Sequence, residues 1–146
     1  MQLYSNNIRV IDSMPIPVCE FGRAHFSKCF KGEASYGICA SKKETYFGFK
    51  FHALTTVDGF LTDYVITPAN IDDRNAVWDL CDKYRSISII GDKGYINKRL
   101  TPELKSERDI DLLFLKRANS RDNYPKEVRQ LLFKVRRRIE TSFSQL

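Results

Sequence analysis

The stretch that decides the fold is residues 46–67, YFGFKFHALTTVDGFLTDYVIT. Its first half alternates: Phe49, Phe51, Ala53, Thr55 and Val57 share one face, while Lys50, His52 and Leu54 share the other. A period of two is the mark of a half-buried strand. Asp58-Gly59 follows, a strong short-range hairpin signal. Phe60–Thr67 returns as the antiparallel partner and Pro68 stops it. Upstream, Asn7–Ile11 (NIRVI) reads as a short strand ending at Asp12. Downstream, Asn70 is placed to cap a helix whose first turn holds Asp72 and Asp73. Ser86–Gly91 (SISIIG) reads as a buried strand followed by Asp92. Thr101-Pro102-Glu103 opens a short helix, and Asp111–Leu115 (DLLFL) is a further strand. From Pro125, apolar residues at Val128, Leu131, Leu132, Val135, Ile139, Phe143 and Leu146 recur at three and four, which predicts a long amphipathic helix. Residues 13–45 hold prolines, glycines and lysines without a clear period and read as a basic loop insertion. An antiparallel start joined to parallel strands by crossover helices predicts an α/β fold, a mixed sheet with flanking helices.

Length and charge narrow the class. The 146 residues suit one domain, 1–146, able to bury a core without disulfide or metal staples. No apolar run is long enough for a membrane span, so no membrane partner is expected. The N-terminus lacks the pattern of a signal peptide. A cytoplasmic location is expected, with Cys19, Cys29, Cys39 and Cys81 reduced and too widely spaced for usual zinc pairs. The net charge of +6 is uneven. Residues 1–115 hold 15 basic and 15 acidic side chains, and residues 116–146 hold 9 and 3. That localised surplus fits a polyanion such as nucleic acid, or a solvated helix face.

Three acids stand out. Asp12 and Asp92 each follow an apolar strand, and ligands of open α/β sheets bind beyond the carboxyl ends of parallel strands. Glu140 borders the apolar stripe of the last helix, four residues after Arg136. Three carboxylates without nearby thiolates suit a hard cation, Mg²⁺ or Mn²⁺. Two such ions are a standard device of phosphodiester chemistry. From pattern alone, Asp12 also reads as a turn or cap residue and Glu140 as an ion-pair partner of Arg136 or Arg137. Lys93, Arg136 and Arg137 are candidate phosphate contacts. Lys50 and His52 share a face that is able to approach DNA or the acids, and Tyr95, also a candidate DNA contact, is placed to stack or pack beside Asp92.

The segments Ile11–Ser13 (IDS), Thr67–Asp73 (TPANIDD), Gly91–Tyr95 (GDKGY) and Arg136–Leu146 (RRRIETSFSQL) together resemble the motif set of bacterial insertion-sequence DDE transposases. The resemblance implies a ribonuclease-H-like catalytic domain with Asp12, Asp92 and Glu140 as catalytic and metal-binding residues and two Mg²⁺ or Mn²⁺ ions. It implies cleavage of DNA at the element's ends and strand transfer into target DNA, with a homodimer in the full-length, nucleoid-associated form. That family carries an N-terminal DNA-binding region, whereas 11 residues precede Asp12 here, and its helix continues beyond the six residues that follow Glu140. The expectation is a catalytic core truncated at both ends. An inactive remnant that only binds DNA and a ribonuclease-H-like host nuclease are the alternative readings.

Overall fold

The computed structural model describes residues 7–39, 42–95, 98–114 and 125–145. In chain order it contains β1 (Ile8–Cys19), β2 (Ser35–Cys39), β3 (Glu44–Thr56), β4 (Leu61–Pro68), α1 (Asp73–Cys81), β5 (Ser88–Gly91), α2 (Leu100–Arg108), β6 (Asp111–Phe114) and α3 (Lys126–Ser144). Short 3-10 turns span Phe21–Arg23 and Lys93–Tyr95. The six strands form one mixed sheet in the order β2-β3-β1-β5-β6, and β4 also pairs with β3. Because β3 is 13 residues long, β2 takes residues 44–48 of its outer edge and β4 takes 49–55. β1 pairs antiparallel with β3, whereas β5 is parallel to both β1 and β6.

Helices cover both faces. On one, α1 and α2 bury Val77, Leu80, Leu100 and Leu104 against Ile11, Leu54, Ile89 and Leu112. On the other, Leu132, Val135 and Ile139 of α3 pack on Val10 and Ile90. Neighbouring strand residues thus feed opposite cores, as the pleat requires. This is the α/β mixed sheet with flanking helices that the hairpin and crossover pattern predicts.

Three local readings need correction. Residues 13–45 are not a continuous loop: β1 runs on to Cys19, and β2 occupies Ser35–Cys39. The prolines concealed this strand. They fit because β1 pairs with β5 only through Val10, so Pro15 and Pro17 lie where the strand keeps β3 on one side and, among the described residues, has no strand on the other. Asn70 does not cap α1. Asp72 does, accepting from the Arg74 N–H at 3.0 Å, while Asn70 exchanges hydrogen bonds with Ser35 at 2.8 and 2.9 Å. Thr101 and Pro102 lie inside α2, whose N-cap is Arg99. The side chains of Val128 and Leu131, and residue Leu146, lie outside the described part of the predicted helical stripe.

Gly48 shows how tightly the long strands fit. A Cβ there would stand 2.1 Å from the Ile16 carbonyl oxygen and 2.9 Å from the Val18 nitrogen, where the β1–β3 register shifts. Backbone cannot yield as a side-chain tip does. Gly48→Ala is therefore expected to cost about 1–3 kcal/mol, whereas Gly22→Ala, with nothing within 4 Å, should stay within about 0.5 kcal/mol of the parent. Denaturant unfolding of the two variants checks this.

Candidate active site

The site grows from one register. Val10 of β1 lies opposite Ile90 of β5, and these strands run parallel. Asp12 and Asp92 each lie two residues beyond that pair, so both carboxylates emerge at the same end of the sheet. Asp92 leaves β5 directly after Gly91. Asp12, expected to end its strand, instead lies within β1, which continues along β3. What ends there is β5, at Gly91, and among the described residues no strand continues beside Asp12 on that side.

The electrostatics follow from this placement. Burial pushes the Asp12 carboxyl up to about 6, and the negative charges of Asp92 and Glu140 push the same way. The Ser13 N–H, which donates to Asp12 Oδ1 at 2.9 Å, and the charge of Arg136 oppose this. Arg136 is the link to α3: its Nε donates to Glu140 Oε1 at 3.1 Å, and its Nη2 lies 3.8 Å from Asp92 Oδ2. A concavity lined by Asp12, Asp92, Gly91, Arg136 and Ile139 opens between sheet and helix. Its floor is apolar, formed by Val10 and Ile90 with Ile139.

The structure thus brings Asp12 and Asp92 together directly and joins Glu140 to them through a guanidinium. Among the described residues, no three metal-ligating side chains are already arranged around one point. The expected trio therefore shares a site without forming a finished cage, because Arg136 stands among the carboxylates. Arg136 and Arg137, with Glu140, also line a shallow groove along α3.

The other sequence candidates fare differently. His52 and Tyr95, expected to face DNA, are 0% and 1% exposed. No nucleic acid reaches them. His52 shares its strand face with Leu54, which belongs to the core beneath α1, and that parity could have revealed its burial. Its Nδ1 lies 3.2 Å from the Tyr95 hydroxyl and its Nε2 3.2 Å from Thr67 Oγ1. Burial pushes the His52 pKa down and that of Tyr95 up, so both are held neutral. Tyr95 also bonds Ser13, the cross-strand partner of His52. A buried chain of hydroxyls and imidazole therefore staples the turn after Asp92 to the strand residue next to Asp12. Lys50 is committed to Asp73 at 2.7 Å, both half-buried, so it does not stand ready for phosphate. Asp73, read from sequence as a helix-start acid, gains this second role. The side chain of Lys93 lies outside the described structure.

The GDKGY segment now has a physical reading. At Gly91 a Cβ would stand 2.8 Å from Ile11 Cγ2, and at Gly94 3.1 Å from Asp73 Oδ2. Both glycines let the turn sit close against its neighbours while Tyr95 plugs the core.

Residues 3–146 match the family described as transposase DDE domain. The fold is similar to a solved structure of the piggyBac transposase synaptic complex with hairpin DNA, at a TM-score of 0.50 and 13% identity. The match covers 84% of this chain and 25% of that one, so the chain spans about a quarter of that protein's length. The likeness fits the ribonuclease-H-like form of the mixed α/β sheet. A comparison with curated proteins finds no match.

The raised Asp12 pKa has a sign that can be checked. In the folded state this carboxyl holds its proton to about pH 6, against 3.8 for an unperturbed one. Its contribution to stability is therefore greatest below pH 4 and falls as pH rises through 4 to 6. Asp12→Asn is expected to raise the melting temperature at pH 7 and leave it nearly unchanged at pH 4. Thermal melts across that range measure the difference.

Proposed function

The chain belongs to the transposase DDE domain family, and we propose that it is the catalytic unit of a DNA transposase that cleaves DNA at an element's ends and joins it to target DNA. The observation that carries this reading is the matched placement of Asp12 and Asp92 beyond the Val10–Ile90 pair, with Glu140 tied in through Arg136.

The donor chemistry fits a hard divalent cation. Asp12, Asp92 and Glu140 offer carboxylate oxygens only, and the raised Asp12 pKa reports first a buried carboxyl and second the neighbouring charges of Asp92 and Glu140. These three residues would hold Mg²⁺ or Mn²⁺, two ions by the demands of the chemistry, which when bound activate an attacking water or 3′-hydroxyl and stabilise the departing oxygen. The rest falls to the protein. Val10, Ile90 and Ile139 keep the floor apolar and strengthen every charge interaction above it. Arg136 offsets carboxylate repulsion and, with Arg137, presents cations where a phosphate would lie. The Ser13–Tyr95–His52–Thr67 chain fixes the Asp92 turn against β1, so that the two acids keep their spacing. DNA is the substrate and partner in this reading, and a homodimer in the nucleoid is the functional form of the complete enzyme.

The test is cleavage. The chain is incubated with Mn²⁺ and duplex DNA bearing the terminal repeats that flank its gene. Strand cleavage at the repeat ends is expected, falling to background with Asp92→Asn or with a chelator; cleavage undiminished by Asp92→Asn would overturn the reading. For binding, Arg137→Ala is expected to weaken affinity about equally for all duplex sequences. It should also flatten the slope of log affinity against log salt by about 0.9, as measured by anisotropy titrations at several salt concentrations.

A further inference from the structure

The sheet face that carries Asp12 does not end at the acids. Asp12, Met14 and Ile16 alternate onto one face of β1, and their cross-strand partners Ala53, Phe51 and Phe49 lie on the same face of β3. The next row out, on β4, is Tyr64 and Ile66. Among the described residues, α3 meets this face at its near end, where Phe143 lies edge-on to Phe51 at 6.2 Å. Further along, Tyr64 stacks on Phe51 at 5.6 Å and is 60% exposed.

The segment between β1 and β2 extends this aromatic surface. Phe30 packs edge-on against Phe49 at 5.3 Å, and Phe21 against Tyr36 at 5.6 Å. Tyr36 in turn meets Phe47 at 5.1 Å. Phe21 and Phe30 are still about half exposed, and Phe26 is 86% exposed. Residues 21–32, FGRAHFSKCFKG, also contain Arg23, Lys28 and Lys31 and no acid. The flanking Glu20 stands 3.9 Å from Arg23 with both side chains exposed, a pairing that neutralises little. The segment is braced: the Phe30 carbonyl accepts from the N–H groups of Glu33 and Ala34 at 3.0 and 2.9 Å. Phe30 itself is held at φ +52°, a strained conformation for an aromatic residue.

Single exposed apolar side chains need no explanation, but linked aromatic pairs on one sheet face, bordered by an exposed segment that carries three cations, do. Rings give sequence-tolerant stacking for bases, and interleaved lysine and arginine follow the phosphates. Together they are the chemistry of single-stranded nucleic acid binding. Four residues of β1 separate Asp12 from Ile16, the partner of Phe49, or about 13 Å along the strand. That places the nearest ring of the segment roughly two extended nucleotides from the acids.

We propose that the aromatic–basic face formed by Phe21, Phe26 and Phe30 with Arg23, Lys28 and Lys31, continuing over Tyr64 to Asp12, is a platform for unpaired DNA leading from the reaction site. The inference rests on the reading of DNA as substrate. It adds that the strand is held by stacking of unpaired bases and not by phosphate contact alone.

The experiment is anisotropy titration of labelled single-stranded and duplex 20-mers with the Asp92→Asn chain in a chelator, so that neither cleavage nor metal enters. Phe26→Ala and Phe30→Ala are expected to weaken single-strand binding by about five-fold or more each, with little effect on duplex. Phe26→Trp should restore it and Phe26→Leu should not. Phe26 is 86% exposed and makes no ring contact among the described residues, so its variants should melt like the parent, which keeps the test free of misfolding. Affinity within two-fold of the parent for both alanine variants would overturn the proposal. So would substitutions that abolish concentration-dependent self-association in sedimentation while leaving DNA binding intact, which would assign the face to a second copy of the chain. Because cleavage is not read, loss of stacking leaves the catalytic assignment standing, and failure of cleavage leaves the platform standing.

Discussion

The parallel pairing of β1 with β5 is the constraint on which the remainder depends. Only three residue pairs make it, ending at Val10 and Ile90. Beyond that point β5 turns away and β1 continues along β3, so the sheet opens a notch with a carboxylate on each side. Burying the Asp12 carboxyl there costs free energy, which shows in its raised pKa. The cost is borne by the packing around it. Ile11 and Leu54 are locked beneath α1, Val10 and Ile90 beneath α3, and the Tyr95 plug holds the turn after Asp92. A shift of one residue in the β1–β5 register would turn Asp12 or Asp92 to the opposite face.

α3 closes the arrangement from above. Its apolar stripe fixes the helix on Val10 and Ile90, and that docking delivers Arg136 and Glu140 to the notch. The basic surplus of the C-terminal segment thus serves two ends. Arg136 balances the acids, Arg137 lines the outer groove, and Arg138 lies 3.8 Å from Asp58 of the β3–β4 turn. A charge excess that could have been a solvated coat is, at these positions, tied to the site and to the sheet.

Much of this was legible in the chain because the relevant signals are local. The Asp58-Gly59 turn and the helical stripe after Pro125 are matched by the β3–β4 pairing and by α3, and the alternation of Tyr46–Val57 finds the strand but not its burial, since His52–Thr56 are buried on both faces. The acids were legible by their position after apolar runs. What escaped were features set by neighbours distant in sequence. Pro15 and Pro17 suggested a loop, yet a strand with β3 on one side and, among the described residues, no strand on the other accommodates both. His52 and Tyr95 looked like surface contacts because both carry polar atoms; the partners that satisfy those atoms come from β4, β1 and each other. Lys50 found Asp73, 23 residues away. The aromatic residues between β1 and β2 gained their meaning only once Phe30 was seen to meet Phe49 on the face that bears Asp12.

The central claim is that Asp12, Asp92 and Glu140 form one cation-binding unit. Titration of Mn²⁺ into the chain, followed by the loss of the free-ion paramagnetic resonance signal, tests it without DNA or turnover. The account predicts saturable Mn²⁺ binding that competes with Mg²⁺ and is lost in Asp12→Asn and in Asp92→Asn, while Asp63→Asn, an acid bonded to Lys83 and Tyr84 away from the notch, binds as the parent does. Equal Mn²⁺ binding by the parent and both site variants would contradict it.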